Sequence, residues 1–497
     1  MNLGFTGLIS ATVFIPTLGA LIIAILLKKD RHVFFFSRFV ALLNLILSAV
    51  VLFAYQSSQS SDRFKLVDRY DQWIPFESFK VEYYLGVDGF SAPLILLTGL
   101  LTAVAIFSSK NITHKIKQYF ICLLLLETAV MGVFSSVDLF LFFIFWELEL
   151  IPMFFLIMTW GSGRKNYSAM KFLIFTLISG GLILFGILIL FASTKTFDMT
   201  MIPVLLQNES LLIPMSVMFF VFFIAFAIKL PVWPLHTWLP DAHTDAPTAG
   251  SVMLAGVLIK MGGYGLIRIC VGLFPESVSE YSLFIVILAV INIIYGAIIT
   301  MRQTDMKRLI AFSSISHMGF VLLGIAAFSG SYEDKVTGLV GASLQMFTHG
   351  TITGLMFLLI GYIYEKTHTR YIPHMGGLVH QMPRLSVALT IAGVAALGLP
   401  GTSGFVSEII IFIGAFPVFN WFTALGVFGV VLTSGYILWM IQRIMYGPKL
   451  DRFDKTVDAS VYEMIPVVLL IISILFVGLY PSFISDIFKN GIIQTIG

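Results

Sequence analysis

The chain has 497 residues, of which 58% are hydrophobic and 11% are charged. This composition is typical of an integral membrane protein and excludes a large soluble domain. The net charge of +3 is small, and the basic residues lie in short clusters between apolar runs, so nucleic acid is not an expected partner. Two cysteines are too few for a self-contained iron-sulfur cluster, which needs four ligands, and they argue against a disulfide framework.

The apolar runs predict an all-α polytopic membrane protein. A helix needs about twenty apolar residues to cross the hydrocarbon core of a bilayer. Runs of this kind lie near residues 6–27, 33–55, 86–108, 117–134, 138–160, 170–193, 212–229, 248–272, 281–301, 309–329, 336–364, 384–416, 419–446 and 459–481. We therefore expect about 14 transmembrane helices.

The basic residues predict the orientation of these helices. Lysine and arginine are concentrated in alternate loops, for example in those near residues 28–31, 110–117 and 443–455. Cytoplasmic loops carry the excess of such residues. Both termini and the 56–85 loop are therefore expected on the non-cytoplasmic side.

Two apolar segments are interrupted by residues that break helices. The first follows Lys229 and contains Pro231, Pro234, Pro240 and Pro247. The second is AALGLPGTSGF, residues 395–405. Two interrupted segments in corresponding halves indicate inverted repeats around a path at the membrane midplane. We expect helices 1–3 in 1–116, a five-helix repeat in 117–272 (helices 4–8), a second in 273–446 (helices 9–13) and helix 14 in 447–497.

Two lysines lie where a membrane protein should avoid them. Lys229 ends one apolar run and Lys260 lies in the middle of the next, and neither has a carboxylate within a helical turn. A lone ammonium in hydrocarbon costs several kcal/mol, so such a residue is a candidate functional site. Lysines that flank a broken helix are what an ion path through a bilayer would need.

Carboxylates in apolar segments are the second group of candidates. Glu147 and Glu149 lie two positions apart, so a helix turns them about 200° from each other and only one can face a given neighbour. The simpler alternative, a protonated or snorkelling carboxyl, is less favoured so far into an aromatic run. Glu127 could instead be hydrogen-bonded to Thr128 or to a neighbouring helix. Glu408 follows the second interruption.

His317 and His349 each lie on an apolar helix beside serine or threonine. A lone histidine there often makes only an interhelical hydrogen bond. Together with Lys260 and Glu408, however, the two extend a chain of titratable groups through the second half of the protein. A metal site is not expected, because the histidines are not at ligand spacing.

Other polar residues favour structural roles. Within the first interruption, His236, His243, Asp241 and Asp245 are as suited to satisfying loose backbone as to carrying protons. The cluster DMKR at residues 305–308 is expected to anchor the chain at lipid headgroups.

Four stretches resemble one protein family. They are FWELELIPMFFLI, KLPVWPLHTWLPDAHTDAPTAGSVMLAGVLIKMGGYGL, DMKRLIAFSSISHMGF and LGLPGTSGFVSE. Together they closely resemble the antiporter-like membrane subunits of respiratory complex I, which are related to subunits of multi-subunit sodium/proton antiporters. Within that family a glutamate in the second broken helix, here Glu408, is typical of the M type (chain 4 type).

The resemblance implies a role for each matching residue. Glu147, which directly follows the FW of its motif, would be the partner of Lys229. Lys260 would be the central relay, His317 and His349 the relay of the second half, and Glu408 the terminal proton site. Because Glu149 is an additional carboxylate, the partner of Lys229 stays open between Glu147 and Glu149, with Glu147 preferred.

The implied function is proton translocation by a membrane-arm subunit of a bacterial NADH-quinone oxidoreductase, multi-pass in the inner (plasma) membrane. The chain would hold no cofactor; NADH, FMN, iron-sulfur clusters and quinone would belong to partner subunits. Expected partners are L- and N-type antiporter-like subunits, small membrane subunits, the peripheral redox arm and the bilayer. The alternatives are an ion-exchange subunit of a sodium/proton antiporter and a structural scaffold, which would not need six buried ionisable groups.

Overall fold

The computed structural model describes residues 6–76, 79–207 and 211–496. In this part of the chain, eleven helices are long and apolar enough to span a membrane, and four shorter apolar helices of 10–17 residues accompany them. The polytopic helical class is confirmed. The total of fourteen crossings and the two repeats stay predictions.

The N-terminal region combines helices with a β-hairpin. Its elements are α1 (Leu8–Ile25), α2 (Asp30–Ser57), β1 (Leu66–Phe76), β2 (Phe79–Val87) and α3 (Ala92–Ser108). The strands are antiparallel, with Leu66 opposite Val87 and an irregularity between Tyr70 and Ile74. The purely helical prediction was therefore wrong for the 56–85 loop. The helix expected from residue 86 begins later, because β2 continues to Val87.

The next region carries two helix breaks. Its elements are α4 (Ile116–Ser135), α5 (Leu139–Leu148), α6 (Leu150–Trp160), α7 (Lys165–Thr194), α8 (Ile202–Leu206), α9 (Met215–Lys229) and α10 (Trp238–Asp245). The predicted break follows α9, but its second half forms α10. The other break, at Glu149 between α5 and α6, was not predicted.

The middle of the chain forms the centre of the protein. Its elements are α11 (Thr248–Met253), a π-helical turn (Leu254–Leu258), α12 (Ile259–Gly265), a second π-helical turn (Leu266–Val271), α13 (Pro275–Glu280), α14 (Ser282–Met301), α15 (Met306–Ala326) and α16 (Tyr332–Thr367). The stretch from α11 to the second π turn is one continuous apolar segment. It is fully buried, as are the apolar stretches of α15 and α16.

The C-terminal region contains the second predicted break. Its elements are α17 (Pro383–Ala396), α18 (Ser403–Ala415), α19 (Asn420–Ile444), α20 (Val461–Leu479) and α21 (Ser482–Ile496). Short 3-10 turns lie at Ala327–Ser329, Ile372–His374, Leu378–His380 and Asp451–Phe453. Helix α21 was not expected; it packs its buried face on the start of α3, where Phe488 contacts Phe90.

Local sequence explains where several helices begin. Asp138 caps α5 by accepting hydrogen bonds from the backbone amides of Phe140 and Leu141. Ser331 at the start of α16 and Ser460 at the start of α20 each form a reciprocal capping box with the acidic residue three positions later. Such caps satisfy amide groups that have no partner within the helix.

Candidate functional site

The break after α9 is buried, and its loose backbone groups have partners. The indole of Trp238 donates to the carbonyl of Ile228 at 2.8 Å. Asn292 of α14 accepts from the amide of Trp233 at 2.6 Å and donates to the carbonyl of Pro231 at 3.3 Å. Unpaired backbone is tolerated at membrane depth only when protein or water satisfies it. These side chains hold the break in one conformation and fix the position of Lys229.

Lys229 forms a fully buried ion pair with Glu149. Its Nζ donates to Oε1 of Glu149, and the two side chains are 0% and 1% exposed. The ammonium also lies 5.7 Å from the ring centre of Trp146 and 5.4 Å from that of Phe172. A carboxylate and two aromatic faces thus compensate for the lost hydration of the ammonium.

The preference for Glu147 as the partner of Lys229 was wrong in this structure. Glu149 lies in the break between α5 and α6 and points inward. Glu147 is only half-buried, and its carboxylate lies against Gly180 of α7, which has no Cβ to occupy that space. The two glutamates face different neighbours, as their two-residue spacing requires. The spacing of the two glutamates was visible in the sequence, but which of them points into the protein was not.

Among the described residues, no carboxylate pairs with Lys260. Its Nζ lies 2.7 Å from Nδ1 of His349 on α16 and also donates to the backbone carbonyl of Ala255, which belongs to the first π turn. The side chain is fully buried. A histidine nitrogen and a backbone oxygen therefore replace water around this amine, and a proton on Lys260 has a direct acceptor in His349.

His317 faces two backbone carbonyls. Its Nδ1 lies 2.8 Å from the oxygen of Ser313, and its Nε2 lies 3.0 Å from the oxygen of Ala396. A carbonyl oxygen only accepts hydrogen bonds, so both bonds form together only when both ring nitrogens carry a proton. The ring centre is 5.5 Å from that of His349. The two predicted histidines are therefore neighbours.

Glu408 stands at the far end of this group. Its Oε1 is 3.9 Å from Nε2 of His317, and the side chain is buried. Gly398 in the second break has φ of 74°, and a Cβ there would meet Oε2 of Glu408 at 2.8 Å. Only glycine satisfies both the backbone conformation and the space. The predicted break thus positions Glu408.

A small cavity connects these residues. Its volume is about 10 Å³, and His317, His349 and Glu408 line it together with Gln345, Thr348 and Thr353. This volume is enough for about one water molecule, which needs two or more polar partners to be stable. Between Lys229 and Lys260, in contrast, no hydrogen bond exists in the described part of the chain. The site therefore consists of an ion pair and a separate histidine-rich group.

The polar residues after the first break form hydrogen bonds and ion pairs with neighbouring helices. Asp241 accepts from Lys171 at 2.8 Å and from Arg308 at 3.0 Å, and Asp245 accepts from the hydroxyl of Ser168 at 2.5 Å. Lys307 is buried and donates to the carbonyl of Ala246 at 2.6 Å. The headgroup role expected for residues 305–308 was therefore wrong for Lys307, which is buried. Arg308, whose side chain is 36% exposed, ties α15 to α10 through Asp241, and its headgroup role stays a prediction.

The two histidines of this segment are buried and pack against aromatic rings. The ring of His243 stacks on Phe357 with centres 4.7 Å apart, and the ring of His236 meets Tyr295 edge-on at 5.2 Å. Glu127 accepts from Asn44 of α2 at 2.8 Å. Glu127 is thus hydrogen-bonded to a neighbouring helix, which is one of the two structural roles given for it above.

A second buried ion pair was missed. Arg268 donates to both carboxylate oxygens of Asp88 at 2.6 and 2.8 Å, and its Nε donates to the hydroxyl of Tyr264 at 3.0 Å. Both residues lie at the ends of predicted apolar runs, where a charge is normally solvated. The only signal was a pair of opposite charges at helix ends on the same predicted side of the membrane.

A metal site finds no support in the described part of the chain, where no three histidine, cysteine, aspartate or glutamate side chains converge.

Two family models match the chain. Residues 136–433 match the transmembrane family of NADH:quinone oxidoreductase and Mrp antiporter subunits, and residues 70–133 match the amino terminus of NADH-ubiquinone oxidoreductase chain 4. Both discontinuous helices and every residue of the site lie within the first match. The chain therefore belongs to this family of antiporter-like membrane subunits.

Relatives indicate the particular branch. NADH-quinone oxidoreductase subunit M of Rickettsia bellii is 36% identical over 489 residues, which are 97% of this chain and 97% of the relative. NAD(P)H-quinone oxidoreductase chain 4 1 of a Synechococcus strain is 41% identical over 483 residues, 95% of this chain and 90% of the relative. The predicted resemblance to the subunit M or chain 4 branch is confirmed.

Solved structures share the fold. A chain of respiratory complex I from Thermus thermophilus has a TM-score of 0.86 at 24% identity and covers 98% of this chain and 100% of its own length. A chain of the Mrp complex from Dietzia has a TM-score of 0.82 at 20% identity, covering 99% and 100%. At these identities the two similarities show the fold alone.

Proposed function

We propose that this chain translocates protons as a membrane-arm subunit of an NADH-quinone oxidoreductase. The observation that carries the proposal is the row of buried ionisable groups on discontinuous helices: the Glu149–Lys229 pair, the Lys260–His349 contact and the His317–Glu408 approach. Charges in this position are costly and face one another rather than lipid, which is the expected arrangement for a proton path.

The proposed path has two parts. In the second part a proton passes between Lys260, His349, His317 and Glu408, because these groups lie within one hydrogen bond or one water molecule of each other. In the first part Lys229 holds a proton while Glu149 is paired with it. No hydrogen bond connects Lys229 to Lys260 in the described residues. Transfer of a proton from one lysine to the other would therefore require the Glu149–Lys229 pair to separate.

The energy for this separation would come from outside the chain. Moving a proton against a membrane potential near 180 mV needs about 4 kcal/mol. NADH, FMN, iron-sulfur clusters and quinone in partner subunits, with L- and N-type relatives and small membrane subunits beside this chain, would provide the coupling.

The antiporter alternative has one supporting observation, the similarity to the Mrp chain. It would use the same residues with the ion gradient as the driving force. The relatives that are 36% and 41% identical carry oxidoreductase names, and this favours the redox-driven reading. Purification of the tagged chain separates the two: flavin and iron-sulfur subunits would support the first, and only small membrane subunits the second.

The central test uses Lys229→Ala in the assembled complex. Proton translocation and coupled quinone reduction should fall about tenfold or more, while NADH oxidation by an artificial acceptor stays unchanged. Lys195→Ala is the matched control, because Lys195 is an exposed cation in the loop after α7. Loss of assembled complex in proportion to activity would contradict a transport role and favour a structural one.

A further inference from the structure

An apolar groove on the outer surface carries an inference that does not depend on proton transfer. The groove has a volume of about 260 Å³ and lies where α2, α3 and α20 meet. Its floor includes Ala103 and Val104, and its rims include Leu42 and Leu469, which are 45% and 37% exposed. Every residue that lines it is apolar.

One end of the groove carries a cation without an acidic partner. Phe107 of α3 lines the groove, and the guanidinium of Arg38 on α2 lies 5.5 Å from its ring centre and 5.9 Å from that of Phe34. The Nε atom of Arg38 is buried and makes no hydrogen bond. Within the described part of the chain, Arg38 has no ion-pair partner. Its charge is held by aromatic rings alone.

The helix directions place this cation at one membrane face. Arg38 lies about 12 Å along α2 from Asp30. Helix α3 ends and α20 begins at the same end of the groove, beside the basic loops that predict the cytoplasmic side. Basic pockets between transmembrane helices on that side suit lipid headgroups. An arginine near a helix end can also snorkel to water, but snorkelling does not account for the apolar groove below the guanidinium.

We propose that the groove binds one acyl chain of an anionic phospholipid, whose phosphate pairs with Arg38. The guanidinium has no anionic partner among the described residues, and it suits a phosphate in geometry as well as charge. The acyl chain covers the small floor residues Ala103 and Val104. The occupant is a lipid rather than a protein helix, because a helix about 10 Å wide cannot enter a groove of this volume.

The test uses phosphatidylglycerol with a photoreactive diazirine on one acyl chain, added to the purified assembly that contains the full chain. After irradiation, peptide mass spectrometry should find the label on groove residues such as Leu42 and Leu469. Arg38→Gln should reduce this labelling about fivefold, since one arginine near an anionic surface contributes about that factor. Arg31→Gln is the matched control: Arg31 is an exposed arginine on the same helix that also stacks on a ring, that of Phe35.

A second pair of variants tests the groove itself. Leu42→Trp fills the rim and should reduce labelling, whereas Ile46→Trp, one turn along on the exposed face, should not. In the parent protein, unlabelled phosphatidylglycerol should compete better than phosphatidylcholine, and this measurement needs no variant to fold. Three results would each overturn the proposal. They are equal labelling of Ile46 and the groove, no effect of Arg38→Gln, and a groove that stays unlabelled because a partner subunit covers it.

Discussion

Glu149→Gln separates the two candidate partners of Lys229. The substitution keeps the size of the side chain and removes its charge. Breaking a buried ion pair by removing one partner costs about 3 to 5 kcal/mol, because the remaining charge is left uncompensated. This full range of the cost applies to Glu149→Gln, since the side chains of Lys229 and Glu149 are 0% and 1% exposed. The neutral amide at position 149 could still accept a hydrogen bond, and the faces of Trp146 and Phe172 would stay beside the ammonium, but no negative charge would.

This cost is as large as the work that the site must perform. A proton driven against a potential near 180 mV needs about 4 kcal/mol. At about 1.4 kcal/mol for each factor of ten, a loss of 3 kcal/mol corresponds to about a hundredfold change in an equilibrium constant. We therefore expect Glu149→Gln to reduce proton translocation at least about tenfold.

The assay compares Glu149→Gln with Glu147→Gln in the same assembly. Proton uptake into inverted membrane vesicles is followed with a fluorescent pH probe, and NADH oxidation by an artificial acceptor reports assembly. Glu147→Gln should retain about half or more of the parent rate, because its carboxylate faces Gly180 rather than Lys229. Normal translocation by Glu149→Gln, combined with failure of Glu147→Gln, would refute the pairing seen in the structure.

Four further outcomes follow from the structure. Lys229→Arg should assemble normally yet translocate protons almost as poorly as Lys229→Ala, because arginine stays protonated in proteins; translocation near the parent rate would show that the lysine is only a fixed counter-charge. Gly398→Ala should displace the Glu408 carboxylate and reduce translocation several-fold, and an unchanged rate would mean that the position of Glu408 is not limiting. Arg268→Gln should lower the stability of the chain by about 3 to 5 kcal/mol, measured as a fall in the midpoint of thermal unfolding in detergent, and removing the Asp88 charge as well should restore part of it. In a background without the two native cysteines, a cysteine at position 110 should react with an impermeant maleimide only from the cytoplasmic side; labelling from outside would contradict the predicted orientation.

Much of the fold could be predicted because long apolar segments have few alternatives. A run of twenty apolar residues with occasional glycine forms a helix, and the breaks after Lys229 and around Gly398 were visible as clusters of proline and glycine. The β-hairpin could not be predicted in the same way. Its strands mix apolar with polar residues and are too short to meet the twenty-residue criterion for a membrane helix, which says nothing about the structure of a loop between apolar runs.

The composition of the site could be predicted, but its pairings could not. Lys260, His317, His349 and Glu408 stand out because each is costly in an apolar helix. Which of them touch depends on how helices rotate about their axes, and a sequence does not contain this information. The choice between the two glutamates depended on a local break at Glu149. Pro152, three residues after Glu149, marks that break, because it has no amide to bond to the carbonyl of Leu148, and this signal was overlooked.

The π turn before Lys260 makes the length of this helix as important as its composition. The carbonyl of Ala255 in that turn accepts the hydrogen bond of the lysine ammonium. A π turn contains one residue more than an α-helical turn, so deleting a residue from 254–258 would return this turn to α-helical geometry. The carbonyl of Ala255 would then bond within the helix and no longer face the ammonium of Lys260, although no ionisable residue had changed. Substitutions are restricted here as well, because Leu254, Ala255, Val257 and Leu258 are fully buried and a Cβ at Gly256 would overlap Leu101.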